Sequence, residues 1–357
     1  MINLRKQKKI LLFLVIFLLS SSPYCIFNLV SASSEKYNVN IKKAVNYLLE
    51  HYNSELGLIF ESEDEGIHWL KQVEYPDYKW NYNETYWLYS DNLIAAYALE
   101  PWAPEISTRI KGTIESYDMP KSNKFEALFG EVIGIDRGAN NIIVSQFSEY
   151  VILIRRHEGV LPDPRYKFAD NMIYEALSKF YKGEVEEAQK RIYEVHKMWN
   201  ETCIEDSGVI QKKPWSKSAP SDIGLGHNFK LALLLFGAKV TETNLPNYNE
   251  LEEILWSKQQ ENGGITTLSL PQGQPIGSAN TETTALTILI YNDQLICRLQ
   301  NIGNALKSSD FKNEIFLHIS SNSNKIWMFC TSLLILLAGT IIIMKKARAL
   351  TQKYLFK

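Results

Sequence analysis

The chain has 357 residues with 38 Lys and Arg against 40 Asp and Glu, so its net charge is only −2. Residues 34–325 alone hold 29 basic and all 40 acidic residues, a net charge of −11. An acidic domain of this kind is a poor electrostatic partner for nucleic acid. Cys203 and Cys297 could form one disulfide, and no Cys/His cluster has the spacing of a zinc site. We expect no nucleic acid partner, no metal and no cofactor.

The N-terminus has the layout of a secretory signal peptide over residues 1–33. Four basic residues lie among the first nine, and an apolar run from Ile10 to Ser20 follows them. Small residues suited to cleavage stand at Val30-Ser31-Ala32. The apolar run is too short to cross a bilayer comfortably, so we predict that it is a cleaved signal and not an anchor.

The C-terminus predicts a membrane anchor. Residues 304–325 are polar and read as a stalk, and residues 326–344 are nineteen residues without a charge. That length is close to the ~20 residues that a membrane-spanning helix needs. The basic residues in the tail, 345–357, predict a cytoplasmic C-terminus. We therefore expect a single-pass cell-membrane protein whose ectodomain, residues 34–303, lies outside the cell.

Between these ends, apolar periodicity predicts a mainly helical ectodomain. An amphipathic helix runs from Lys36 to Asn53, and the aromatic-rich stretch from Tyr78 to Leu99 ends in an apolar helix that opens near Ser90 to Asn92. Residues 121–140 show no clear pattern, and 141–156 alternate as two strands of a hairpin. Other helices are predicted at 104–117, 168–181, 184–200, 226–238, 247–259 and 279–291.

One pattern occurs four times along the ectodomain. A glycine with aliphatic residues precedes a loop, and polar residues then open an apolar helix; the glycines are Gly57, Gly159, Gly208 and Gly264. The polar openings are Asp91-Asn92, Asp170-Asn171, His227-Asn228 and the segment around Glu282. Helices that are apolar all round must be enclosed by others. We therefore predict an α/α-toroid-like array of helical hairpins, incomplete or modified, with a small β-hairpin insertion and with the helix openings around one depression.

Two resemblances bear on this architecture. Residues 259–265, QQENGGI, are similar to the Q-x-x-D-G-(G/S)-aromatic element of terpenoid cyclases and protein prenyltransferases, which are α/α toroids, although Asn262 and Ile265 depart from it. The cyclases' Asp-x-Asp-Asp motif and the prenyltransferases' zinc ligands are absent. An aromatic run beside Asp-Asn at a helix start also resembles the six-hairpin glycosidases, whose inner helices carry the acid and base. This second resemblance implies a carbohydrate ligand.

The candidate site follows from the helix openings. Glycoside hydrolysis needs two carboxyl groups, and Asp91 and Asp170 stand at equivalent positions of the repeat, with His227 or Glu282 to assist. Amide and aromatic side chains nearby suit sugar hydroxyls and sugar faces. The candidate substrate-binding residues are Trp80, Tyr82, Tyr86, Trp87, Asn92, Asn171 and Asn228.

The same residues have a simpler structural interpretation. Asp and Asn are typical helix caps, an acid in the first turn interacts well with the helix dipole, and the aromatic residues can pack a loop onto the domain. Two further functions therefore stay open beside a hydrolase. One is a non-catalytic surface module that binds a glycan or a protein, and the other is a structural protein of the cell envelope.

Overall fold

The structure is a computed structural model and describes residues 36–61, 84–119, 124–133, 139–147, 150–157, 167–207 and 225–307. The chain divides into two compact units, residues 1–304 and 305–357. Of the second unit, the described residues are 305–307, which end the last helix. The fold below is therefore that of the first unit.

The described chain is mainly helical. Its α-helices are α1 (Asn38–Glu50), α2 (Ile94–Leu99), α3 (Pro104–Ser116), α4 (Ala169–Phe180), α5 (Val185–His196), α6 (Asn228–Val240), α7 (Tyr248–Trp256), α8 (Thr281–Leu289) and α9 (Asp293–Lys307). A π-helical turn, Leu88–Leu93, leads into α2, and a 3-10 helix spans Phe125–Phe129. The predicted helices at 168–181 and 226–238 agree with α4 and α6 to within two residues.

Three small sheets accompany the helices. Their strands are β1 (Tyr52–Asn53), β2 (Leu58–Ile59), β3 (Glu84–Trp87), β4 (Ala139–Gln146), β5 (Tyr150–His157), β6 (Gly226–His227), β7 (Ile265–Ser269) and β8 (Pro275–Asn280). The sheet orders are β1-β2, β3-β5-β4 and β6-β7-β8. All neighbouring strands are antiparallel except β3 and β5, which pair in parallel from Glu84 opposite Tyr150 to Trp87 opposite Leu153.

The most apolar helices form the centre of the domain. Helix α8 packs between α2 and α6, and α6 in turn packs against α4. Eleven of the thirteen residues of α6 are buried, and eight of the nine in α8. The amphipathic helices α1, α3, α5 and α7 cover this centre, since α1 packs on α8, α3 on α2, α5 on α4 and α7 on α6. Burial of apolar surface on both sides of these central helices is the main term that favours folding.

The predicted fold class needs two corrections. The sheets are more extensive than one inserted hairpin, because the predicted pair β4-β5 gains β3 as a parallel partner, and β1-β2 and β6-β7-β8 form two further sheets. In addition, none of the helices in the described part of the chain is long and apolar enough to cross a membrane. The expected transmembrane helix, with the single-pass membrane location, is therefore withdrawn. The residues on which it rested, 326–344, lie outside the described residues, as do the predicted signal peptide (1–33) and tail (345–357).

We expect Gly112→Ala to stabilise the protein. Gly112 lies on the exposed side of α3, and a Cβ added there meets no atom within 4 Å. Alanine is favoured over glycine inside a helix by about 0.8–1 kcal/mol. Urea unfolding should give a free energy of unfolding that is higher by about that amount. If the free energy of unfolding is unchanged or lower, Gly112 does not lie at an unhindered helical position.

Candidate functional site

The two polar residues at the first helix opening are buried. Asp91 is 2% exposed and accepts a hydrogen bond from the Ser90 hydroxyl at 2.8 Å. The amide of Asn92 donates to the carbonyls of Ile59 and Trp87, both at 2.9 Å, and its oxygen accepts from the Ile59 N–H at 2.7 Å. Asn92 thus fastens β2 to the π-helical turn, and these bonds use its polar atoms within the protein.

Asp170 lies in the first turn of α4 and forms an ion pair. Its Oδ2 is 2.6 Å from the Lys124 Nζ, and both side chains are largely buried. Burial alone raises the pKa of Asp170, but the charges of Lys124 and Lys230 outweigh it and hold the pKa well below its ordinary value. A carboxyl group of this kind is ionised at neutral pH and cannot donate a proton as a general acid. Its neighbour Asn171 has a buried Oδ1 with no hydrogen-bond partner among the described residues.

A second, deeper ion pair joins the starts of α4 and α6. The Lys230 Nζ lies 2.6 Å from the Asp206 Oδ2, and the two side chains are 6% and 0% exposed. The same Asp206 oxygen accepts from the Ala169 N–H at 3.0 Å, so it caps α4 from a distant part of the chain. Helix α4 therefore takes its cap from Asp206 and not from a side chain at its own N-cap.

His227 and Asn228 lie beside this ion pair. Burial, followed by the charge of Lys230, lowers the pKa of His227 to about 3, against the opposing effect of Asp206 and Asp170. The amide of Asn228 donates to the Thr266 carbonyl at 2.8 Å and accepts from the Ser269 hydroxyl at 2.8 Å. Asn228 thus anchors α6 to strand β7 and is only 4% exposed.

The fourth helix opening is linked to the first. Asn280 caps α8, since its Oδ1 accepts from the Thr283 N–H at 3.0 Å. Glu61 bridges the two openings: it accepts from Asn280 at 3.4 Å and from the Trp87 indole at 2.7 Å. Glu282 lies in the first turn of α8 and is partly exposed.

The helix openings are thus neighbours in space, as the repeat predicts. Glu61 joins the first and fourth, the sheet β6-β7-β8 joins the fourth and third, and the pair Lys230–Asp206 joins the third and second. Asn92 and Asn228 bond to the backbone, Asp91 bonds to Ser90, and Asp170 pairs with Lys124. The arrangement fastens the helices together, and this is the structural interpretation of the repeat.

The aromatic side chains that were predicted to bind a sugar are buried as well. Tyr86 is fully buried, and its hydroxyl accepts from the Asn53 amide at 3.1 Å and donates to the Glu84 carboxylate. Burial, and then the bond to Glu84, raises the pKa of Tyr86. Trp87 is 4% exposed. Neither ring has a face open to a sugar, and Trp80 and Tyr82 lie outside the described residues.

An open cleft lies on another side of the same aromatic stretch. We call it the acidic cleft; its volume is about 340 Å³, and it opens between the π-helical turn with α2, the helix α3 and the 3-10 helix. Its lining residues are Tyr89, Leu93, Tyr97, Lys111, Ile114, Glu115, Asp118, Met119, Glu126, Phe129 and Glu131.

Helical spacing explains why these residues share one cleft. Tyr89, Leu93 and Tyr97 stand four residues apart on one side of the π-helical turn and α2. Ile114 and Glu115 lie three and four residues after Lys111 on α3, and Asp118 follows just beyond the end of that helix. Glu126 and Phe129 stand at the three-residue interval of a 3-10 helix. The Tyr89 hydroxyl donates to the Met119 carbonyl at 2.9 Å and ties two walls together.

The cleft combines an aromatic wall with several carboxylates. The Tyr97 and Phe129 rings stack with centroids 3.9 Å apart and planes at 16°. Four lining residues are carboxylates, of which Glu126 is 95% buried (5% exposed) and Glu115, Asp118 and Glu131 are exposed at the mouth. Lys111 is the one cation among the described lining residues, and its Nζ lies 3.9 Å from the Tyr97 ring centroid and 3.3 Å from Glu100.

The two cysteines that could have formed a disulfide lie apart from the acidic cleft. Cys203 and Cys297 are not bonded to each other, so they do not form the disulfide that their number permitted. Burial raises the pKa of the Cys203 thiol. Among the described residues there is no group of three or more His, Cys, Asp or Glu side chains placed to hold a metal ion.

Comparison with known proteins gives no match: no protein-family model, no curated protein and no solved structure matches the chain. The resemblance to α/α-toroid enzymes therefore gains no support from known proteins and stays a prediction.

We expect stability to fall in mild acid through His227. Its pKa is about 3 in the folded protein and near 6.5 when unfolded, so the unfolded state binds a proton that the folded state excludes. The free energy of unfolding should drop as pH falls from about 6.5 towards 3, by at most about 1.4 kcal/mol per pH unit. Asp170 adds its own loss below its ordinary pKa near 3.8, because its carboxylate is stabilised in the fold.

Urea unfolding of the parent chain and of His227→Gln between pH 7 and pH 4.5 isolates the histidine from Asp170. The variant should show a flatter dependence on pH across this range. An equal slope for both proteins means that His227 is not held neutral by its surroundings.

Proposed function

We propose that this protein binds a carbohydrate in the acidic cleft. The observation that carries the proposal is the composition of the cleft, in which an apolar and aromatic wall faces several carboxylates. A sugar ring presents apolar C–H faces and a rim of hydroxyls, so it needs both kinds of group. The volume of about 340 Å³ lies at the lower end of the range for ligand pockets, about 300–1,000 Å³, and suits a small sugar unit.

Binding is favoured over hydrolysis by the state of the paired aspartates. Asp170 forms an ion pair with Lys124 and stays ionised. Neither Asp91 nor Asp170 lines the acidic cleft. Hydrolysis needs one carboxyl group that gives up a proton and a second at about 5–9.5 Å across the scissile bond. The proposal is therefore a non-catalytic carbohydrate-binding protein, in which Asp91 and Asp170 stabilise the fold.

The test is a binding survey of the full-length chain with neutral, basic and acidic oligosaccharides, followed by titration calorimetry. We expect at least one sugar to bind, and Glu115→Gln to weaken it by about 5- to 10-fold, because Glu115 is an exposed lining carboxylate and one hydrogen bond contributes about 1–1.5 kcal/mol. Glutamine keeps the shape of the side chain and removes the charge.

Glu105→Gln is the matched control. Glu105 is an exposed acid in the first turn of α3, outside the cleft, so its removal changes the net charge equally and should leave the affinity unchanged. Absence of binding to every sugar overturns the proposal. Equal effects of Glu115→Gln and Glu105→Gln overturn the placement of the site. Release of a reducing end from a bound oligosaccharide overturns the non-catalytic assignment.

A further inference from the structure

We infer that Lys239 is a covalent binding site, whose amine condenses with a small neutral aldehyde in a second pocket at the end of α6. We call this cavity the α6 pocket; its volume is about 320 Å³, and it lies between the last turn of α6, the loop after it, the start of α7 and α9. It shares no lining residue with the acidic cleft, so the site is independent of the carbohydrate proposal.

Lys239 lines the α6 pocket without an ion-pair partner. Its Nζ donates to the Ile290 carbonyl at 3.0 Å and lies 5.0 Å from the Tyr291 ring centroid, and no carboxylate of the described chain is within ion-pair distance. Burial lowers the pKa of Lys239, although the charges of Glu252 and Asp293 act in the opposite direction. A larger fraction of this amine is therefore neutral at pH 7 than is usual for an exposed lysine.

The contacts of Lys239 also hold its amine in place. A neutral amine has two hydrogens and one lone pair, so it can donate to the Ile290 carbonyl while the lone pair stays available. The backbone carbonyl of Lys239 accepts from the Gln300 amide at 2.9 Å, which fixes this turn of α6 against α9. A partly buried lysine with a neutral amine is the nucleophile with which proteins form imines with carbonyl compounds.

Tyr248 adds a proton donor to the same pocket. Its hydroxyl is buried and has no hydrogen-bond partner among the described residues. Burial, and then the charge of Glu252, raises the pKa of Tyr248 well above its ordinary value, so the hydroxyl keeps its proton at neutral pH. Buried polar groups normally have a partner, and the carbonyl oxygen of a ligand is an acceptor that this hydroxyl lacks.

The reaction is balanced without any further reagent. The Lys239 nitrogen attacks the aldehyde carbon and a C–N bond forms, while Tyr248 gives a proton to the oxygen and regains one from the nitrogen. The C–O bond then breaks with a second exchange of the same kind, and the oxygen leaves as water. The product is an imine, and nothing is oxidised or reduced.

The charges of the α6 pocket favour a neutral aldehyde over an anionic one. Among the described lining residues Lys239 is the one cation, and its nitrogen is neutral both as the reacting amine and as the imine. Glu242 lines the same pocket and is exposed. An anionic aldehyde would meet this carboxylate without a cation to bind it.

The experiment is reductive alkylation of the folded full-length chain at pH 7 with propanal and cyanoborohydride, followed by peptide mass spectrometry of each lysine. We expect Lys239 to react at least tenfold faster than Lys42, which is exposed on α1, because more of its amine is neutral. Lys258 is the matched control. Burial lowers its pKa too, but it is 5% exposed and lines neither the acidic cleft nor the α6 pocket, so it should react more slowly than Lys42. In concentrated urea the three lysines should react equally.

A variant and a second probe test the two remaining parts. Tyr248→Phe should slow alkylation of Lys239 by about 5- to 10-fold, the effect of one hydrogen bond, and leave Lys42 unchanged. Since the hydroxyl has no partner in the described chain, the free energy of unfolding in urea should not fall. Glyoxylate, an anionic aldehyde, should favour Lys239 over Lys42 less than propanal does.

Each other outcome contradicts a defined part. A rate for Lys239 at or below that of Lys42 in the folded chain overturns the inference. A rate for Lys258 equal to that of Lys239 means that the pocket does not select the lysine, and the site is then wrong. An unchanged rate in Tyr248→Phe removes Tyr248 from the reaction, and equal selectivity with glyoxylate contradicts the neutral ligand class. None of these outcomes changes the result of the sugar-binding survey.

Discussion

Asp206→Ala is expected to lower the free energy of unfolding by about 3–5 kcal/mol. The substitution leaves the Lys230 ammonium, 5% exposed, without its partner at 2.6 Å, and a lone buried charge is costly. It also removes the acceptor for the Ala169 N–H at the start of α4. Since α4 and α6 both begin at this pair, the loss should destabilise the whole domain. Urea unfolding at neutral pH measures it.

Two control variants separate the effect of a buried ion pair from that of an exposed one. The exposed pair Lys36–Glu253, with side chains 51% and 60% exposed, has the same 2.6 Å separation, yet Glu253→Gln should cost no more than about 1 kcal/mol. The double variant Asp206→Leu with Lys230→Met should recover much of the loss, because apolar residues of similar size can replace a buried ion pair. If Asp206→Ala lowers the free energy of unfolding as little as Glu253→Gln does, the ion pair Lys230–Asp206 is not buried as described.

Gly264→Ala is expected to destabilise the fold by about 1–3 kcal/mol or more. A Cβ at this position would lie 2.4 Å from the Ala279 Cβ and 2.6 Å from the Tyr47 ring, far inside contact distance. The backbone of the hairpin β7-β8 therefore approaches α1 as closely as only a glycine allows, and overpacking of such a contact forces shifts in the core. Thermal or urea unfolding measures the loss.

Gly112→Ala is the matched control, since the same change there meets open space and should stabilise. Adding Ala279→Gly to Gly264→Ala removes the shorter of the two clashes and should restore part of the stability. If Gly264→Ala behaves like Gly112→Ala, the close approach between α1 and the hairpin is wrong.

Local patterns in the sequence were sufficient to predict the long helices and one β-hairpin. The run NFKLALLLFGAKV can only be an enclosed helix, and it is α6. The alternation at 141–156 gives β4 and β5. These elements follow from the period of their own side chains and need no information from elsewhere in the chain.

Elements held by distant partners could not be predicted in the same way. Strand β6 has two residues and exists because it pairs with Ser269 and Leu268 of β7. Strand β3 pairs in parallel with β5, more than sixty positions away. The 3-10 helix Phe125–Phe129 lies in a segment without clear periodicity, and it supplies one wall of the acidic cleft.

The candidate site likewise has features that local sequence patterns predicted and features that depend on distant residues. The repeat correctly placed polar residues at four neighbouring helix openings, but the bonds from Asn92 to Ile59 and from Asp206 to Lys230, which occupy two of those openings, join distant positions. The acidic cleft was missed, although part of its signal is visible in hindsight. Tyr89, Leu93 and Tyr97 are four residues apart, and Lys111, Ile114 and Glu115 lie on one side of the next helix.

The most direct test of the proposed site is hydrogen–deuterium exchange of the full-length chain with and without the oligosaccharide that binds most tightly in the binding survey. Protection should be confined to peptides from the three walls of the acidic cleft, residues 88–99, 104–119 and 124–133, and should be weaker in Glu115→Gln under the same conditions. Protection around the helix openings at 167–171 and 226–230, with none in the cleft, contradicts the proposal. The ligand would then bind near Asp170 and His227.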